Sequence, residues 1–153
     1  MKRILLILTL ILTMIIFTIA CSKDVVENKK EDIKIIPTGL SDEMGEGNIT
    51  VTTPTSSSEG GTIPIIHIDE YRGLSQLGLK SDGFDNSKPS YIYIDGKLNA
   101  IEKLGELNSL TLTIYEEDLS EGIHKIEVVQ FENDKTSGTP IIYKNCKYEI
   151  KRK

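Results

Sequence analysis

Short runs rich in Ile, Val, Tyr and Thr, each closed by turn residues, fill the second half of this sequence and constrain its fold more than any other feature. The plainest is Leu110-Thr111-Leu112-Thr113-Ile114. Its period of two sends Leu110, Leu112 and Ile114 to one face of a strand and the threonines to the other. Tyr91-Ile92-Tyr93-Ile94 is a second strand, and Asp95-Gly96 after it signals a hairpin, because both residues tolerate positive φ. Ile123–Phe131 and Ile141–Ile150 read as two more. Ile63–Ile68 is β-branched, and Pro64 confines it to an edge or a strand start, since proline has no N–H for the ladder. Leu74–Leu79 is a weaker strand candidate. Leu98–Leu107 admits two readings: a helical stripe through Leu98, Ile101 and Leu104, weakened by Gly105, or two short strands. Regular short strands with turn residues between them predict an all-β sandwich or barrel.

Residues 22–61 have a different texture. Ser22–Lys34 is charged and poor in bulky apolar residues, and Gly39, Gly45, Gly47, Pro54, Ser56-Ser57-Ser58 and Gly60-Gly61 follow. Taken alone, this composition cannot bury enough apolar area to offset the entropy of ordering its backbone. It predicts a disordered acidic tether over residues 21–61, spanning ~35 Å root-mean-square. The folded domain is expected at residues 62–153, a length that suits one small sandwich.

The N-terminus carries its own pattern. Lys2 and Arg3 precede an uncharged run of seventeen residues, Ile4–Ala20, interrupted only by Thr9, Thr13 and Thr18. The run ends at Thr18-Ile19-Ala20-Cys21, which resembles the lipobox of bacterial lipoproteins. That resemblance implies cleavage after residue 20 and diacylglycerol on the Cys21 sulfur, with Thr18 standing where the family usually has Leu. Two long chains at ~0.8 kcal/mol per buried CH₂ give stable anchoring. The expected localisation is the extracytoplasmic face of the cell membrane. Cleavage removes two of 18 basic side chains and leaves 16 against 23 acidic ones, a charge of about −7. Such a balance argues against nucleic acid as a partner.

Leu119-Ser120-Glu121-Gly122-Ile123-His124 and the alternating residues after it resemble the turn into the penultimate strand of immunoglobulin-like and fibronectin-type bacterial surface domains. The likeness runs over about residues 90–150. It implies an immunoglobulin-like β-sandwich in which Leu119, Gly122 and His124 form a structural corner, with His124 bonding back to backbone as in a tyrosine corner. Antibody domains' buried Trp and paired cysteines are absent from the corresponding stretch. The resemblance carries no ligand and no catalytic residue.

In that fold the strands at 91–94, 124–131 and 141–150 share a sheet. With Ile92, Ile94, Ile126 and Val128 inward, parity turns Tyr91, Tyr93, Phe131 and Tyr143 outward. These four residues are the expected binding face, because exposed aromatic patches mark recognition surfaces. Cys146, in parity with Tyr148 and Ile150, is expected as a buried structural thiol. His67, in an Ile-rich strand, is expected as an edge or core packing residue. Asp82–Asn86 and Glu132–Asp134 are oxygen-rich, but neither has EF-hand spacing, so solvated turns are expected rather than calcium sites. Lys144, Lys147, Lys151, Arg152 and Lys153 read as a charged edge that discourages strand addition. No catalytic residue, metal or cofactor is expected. The functional expectation is a lipid-anchored, non-catalytic recognition or adhesion module whose partner is a protein or a glycan. An accessory or exclusion-type lipoprotein of an envelope machine and an envelope hydrolase are the alternatives.

Overall fold

A computed structural model describes residues 36–40, 42–69 and 73–153, all within the unit Ile33–Lys153. The expected signal peptide, Cys21 and the expected tether as far as residue 35 lie outside the described residues. Eight strands follow in chain order: β1 (Asn48–Thr52), β2 (Ile65–Ile68), β3 (Leu74–Asp82), β4 (Ser90–Ile94), β5 (Lys97–Glu102), β6 (Leu107–Tyr115), β7 (Gly122–Phe131) and β8 (Pro140–Arg152). Single 3-10 turns stand at Glu59–Gly61 and Glu116–Asp118. Among the described residues there is no α-helix.

The strands form two sheets, β1-β3-β6 and β2-β8-β7-β4-β5. All paired strands run antiparallel except β2, which runs parallel to β8. The chain crosses between sheets after β1, β2, β3, β5 and β6, and its last two strands lie side by side in the larger sheet. The arrangement is an immunoglobulin-like β-sandwich. β7 against β8 is the longest ladder, from Gly122↔Ile150 to Phe131↔Pro140.

Period-two sequences account for the core. Leu77, Leu79, Leu112 and Ile114 from the small sheet meet Ile92, Ile94, Ile126, Val128, Tyr148 and Ile150 from the large one, all nearly free of solvent. Phe84, Leu104 and Leu119 close the ends. Asp95 and Gly96 both take positive φ, 48° and 79°, as the tight β4–β5 hairpin needs. Pro64 stands just before β2, where its carbonyl accepts from Glu149 N and no N–H is called for. β2 is an edge strand.

Of the two alternatives for residues 98–107, the structure holds strands. The Asp95-Gly96 turn delivers the chain beside β4, and the ladder Ser90↔Glu102 to Ile94↔Lys97 supplies hydrogen bonds that a one-sided helical stripe does not. Leu104 alone of the stripe enters the central core, while Ile101 is 45% exposed.

The expected boundary at residue 62 is corrected. β1 lies inside the stretch assigned to the tether and pairs with β3 from Asn48↔Asp82 to Thr52↔Gly78. Val51 is fully buried, and Ser58 accepts from and donates to its backbone. Composition failed here because β1 needs little apolar area of its own. It adds to an existing edge whose N–H and C=O groups await partners. Residues 36–47 also belong to the domain. Ile36 N donates to Gly96 O, and Met44 and Tyr143 exchange backbone hydrogen bonds of 3.0 Å in both directions. Gly45 passes so near the Ile141 carbonyl that a Cβ there has no room.

Candidate recognition surface

The corner into β7 is built from its backbone. Leu119 is buried, Gly122 takes φ +134°, and His124 is 6% exposed. His124 Nδ1 lies 2.6 Å from Asp95 Oδ2, and Nε2 lies 2.8 Å from the Ser120 carbonyl, to which it donates. Its ring stacks on Tyr148. Asp95 also accepts from Lys125 N. Both imidazole nitrogens are therefore occupied by structural acceptors. Ser120 offers its carbonyl rather than its hydroxyl, and Asp118 pairs with Lys97 Nζ at 2.7 Å. The corner ties the β4–β5 hairpin to β7; it does not present a nucleophile to a base.

Tyr91, Tyr93, Phe131 and Tyr143 do share the outer side of the large sheet, with Val129 between them. The expectation that this face is open is corrected. Tyr91 is 7% exposed and the other three are fully buried. Ile36 and Leu40, from a strap formed by residues 36–47, and Leu98 from β5 lie over them. Parity assigns a side chain to a face; it cannot tell whether another segment covers that face. Tyr91 packs edge-on against Phe131 at 5.3 Å and donates to Asp134 O. Beside them sits a polar trio. Tyr143 Oη donates to Glu127 Oε1 at 2.6 Å, and Lys125 Nζ donates to both at 2.7 Å. Burial alone lowers the Lys125 pKa, but these two hydrogen-bond partners outweigh it and hold the ammonium above its ordinary range. Burial, and then acceptance by Glu127, raise the Tyr143 phenol. Burial and Tyr91 push Tyr93 up to about 12, and its buried hydroxyl has no partner among the described residues.

Cys146 is partly buried against the core, and burial raises its thiol to about 12, out of the reactive range. His67 is exposed on β2, opposite Lys151. In the two oxygen-rich loops, Asp85 accepts from the Ser87 hydroxyl and backbone N–H, bonds that lower its pKa. Lys88 reaches Glu132 O and Asp134 Oδ1. These contacts tie the loops to themselves and to each other.

The open face lies on the other sheet. Along β3, Leu74, Gln76, Gly78, Lys80 and Asp82 point away from the core, and Ser75, Leu77, Leu79 and Ser81 point into it. Strand pairing sets these outward residues in five rungs: Leu74–Tyr115, Gln76–Thr113, Thr52–Gly78–Thr111, Thr50–Lys80–Ser109 and Asn48–Asp82–Leu107. Leu74 is 50% exposed, Tyr115 53% and Leu107 91%. The last two rungs border a groove of about 460 Å³ that also includes Ser57, Glu59 and Asn108. Sequence reasoning missed this surface although its signal was present. The alternation of 110–114 extends to Leu107, Ser109 and Tyr115 at the same parity. The partner strand β1 was hidden by its assignment to the tether.

No family model and no curated protein matches the sequence. Similar solved structures include the fibronectin(III)-like modules of Clostridium thermocellum CbhA, 13% identical over 61% of this chain and 93% of that one, with a TM-score of 0.40. A CARDB domain from Pyrococcus furiosus is 12% identical over 70% and 97%, at 0.42. A lytic polysaccharide monooxygenase of Jonesia denitrificans is 20% identical over 61% of each chain, at 0.35.

Proposed function

We propose that this protein is a non-catalytic recognition module held by lipid on Cys21 at the extracytoplasmic face of a bacterial membrane, and that it recognises its partner through the outer face of β1-β3-β6. The anchor rests on Lys2-Arg3, the uncharged run to Ala20 and Thr18-Ile19-Ala20-Cys21. One observation carries the recognition role: Leu74 and Tyr115, two large apolar side chains about half exposed, face each other in one rung of that face. Single exposed apolar residues need no explanation, but a directly paired set does. The aromatic face of the large sheet is not offered, because the strap occupies it.

A photo-crosslinking residue replacing Thr113, between the rungs of Tyr115 and Thr111, tests this in the full chain on intact cells. Cross-linking to an envelope component is expected there, and not from the same residue at Lys147 on the opposite sheet. Leu74→Ser with Tyr115→Ser should abolish the product while leaving the Tm nearly unchanged. Equal yields from both positions would refute the assignment.

A further inference from the structure

We infer that the outer face of β1-β3-β6 is a docking track for an extended, uncharged glycan strand, with Lys80 and Asp82, at its groove end, as its principal contacts. The inference rests on the recognition role proposed above and adds the ligand class. Three observations carry it.

The first is shape. The five rungs run along β3 at ~6.7 Å per i to i+2 step, so the face is a strip ~27 Å long, two strands wide at the Leu74 and Gln76 rungs and three strands wide at the others. A strip of this form suits a linear polymer lying along the strands. The groove at one end, about 460 Å³, falls within the ~300–1,000 Å³ of small-ligand clefts and gives one stretch of that polymer a deeper seat.

The second is chemistry. Sugar hydroxyls both donate and accept, so a glycan site needs both kinds of group at close spacing. Thr50, Lys80 and Ser109 share one rung, and Asn48 and Asp82 share the next. Lys80 supplies only donors, Asp82 only acceptors, and the hydroxyls and the amide supply both. Neither Lys80 nor Asp82 has an ion-pair partner among the described residues. Adjacent opposite charges do not select a polyanion, and Glu59 at the groove turns one away.

The third is the distribution of polarity. A protein–protein interface concentrates apolar residues at its centre and polar ones at its rim. Here the order is reversed: Leu74 and Tyr115 stand at one end, Leu107 at the other, and the middle rungs are Gln, Thr, Ser, Lys and Gly. Tyr115 offers a ring on which the C–H face of a pyranose can rest, and in the middle rung the Thr52 hydroxyl leans over Gly78, where it donates to the Gly78 carbonyl.

The test uses the full chain in detergent micelles, titrated with cellohexaose and with chitohexaose and followed by amide chemical shifts. Saturable shifts along Gln76–Asp82 and Leu107–Thr113 are expected with at least one hexasaccharide, and the matching disaccharide should bind at least tenfold more weakly. Lys80→Ala and Asp82→Ala should each weaken the hexasaccharide at least tenfold without moving the Tm. No saturable shifts with either sugar, shifts on other strands, equal affinity for disaccharide and hexasaccharide, or unchanged affinity in both variants would each overturn the glycan assignment. If the sugars fail but the Thr113 position still captures a protein that the Leu74/Tyr115 variant loses, the glycan falls and the recognition role stands.

Discussion

Tyr93 and Tyr143 are both fully buried tyrosines on one sheet face, yet their hydroxyls stand in opposite circumstances. Tyr143 donates to Glu127 and accepts from Lys125, whereas the Tyr93 hydroxyl has no partner among the described residues. An unpaired buried hydroxyl costs about 1–3 kcal/mol, and a hydrogen bond to a charged group contributes about 1.5–3 kcal/mol. Tyr93→Phe is therefore expected to raise stability by about 1 kcal/mol, and Tyr143→Phe to lower it by about 2 kcal/mol, measured by chemical denaturation. Equal effects of the two changes would mean that both hydroxyls reach water. Asp95→Ala is expected to cost about 2–3 kcal/mol, since it leaves His124 Nδ1 and Lys125 N unpaired at the corner. A neutral result would show that the corner is held by packing on Tyr148 alone. The faces of Tyr91, Tyr93, Phe131 and Tyr143 were legible in the sequence, because side-chain parity is a local property of a strand. Their burial was not, because it depends on Ile36 and Leu40, some fifty to a hundred positions away, as well as on Leu98.

The strap over residues 36–47 behaves as an element although it has no periodicity. It is held by Ile36 to Gly96, by the paired backbone bonds of Met44 and Tyr143, and by Glu43, which accepts from Asn145 N at 3.2 Å. Ile36→Ser with Leu40→Ser removes the apolar contacts but spares those backbone bonds. The pair is expected to cost roughly 2 kcal/mol, given the part-buried state of both side chains, and to raise binding of a hydrophobic dye. Unchanged stability and dye binding would mean that the aromatic face does not depend on the strap. β1 and the strap share one reason for being illegible. Each relies on an edge or face that only the folded domain supplies, so neither carries a pattern of its own. β5 was partly legible: the Asp95-Gly96 turn specified a hairpin, but Leu98, Ile101 and Leu104 also matched a helix, and hydrogen bonding to β4 decided between them.

For the whole molecule, alkaline pH acts through its buried tyrosines, in the same direction as through the partly buried Cys146 thiol. Burial raises Tyr93, Tyr143 and Tyr148, half of the six tyrosines. Below about pH 10 a phenol is neutral in both folded and unfolded chains and adds no pH dependence. Above it the unfolded chain releases these protons first, so the unfolded state is favoured and stability falls with rising pH. The denaturation midpoint should drop between about pH 10 and 12, and some tyrosine absorbance should titrate late. One transition near pH 10 for all tyrosines would contradict the burial described. At the other end of the chain, mass spectrometry of the mature protein is expected to show a start at Cys21 carrying diacylglycerol. An intact, unmodified Met1 end would remove the anchor.

From residue order alone came the all-β class, the β4–β5 turn, the inward and outward sets of β4, β6, β7 and β8, and the lipobox-like end. All of these depend on neighbours within a few positions, where steric and hydrogen-bonding rules act directly. Tertiary structure decided where the domain begins, which face is covered and which is open. Those outcomes depend on which distant segment fills a free edge or apolar face, a competition that local residue order does not record.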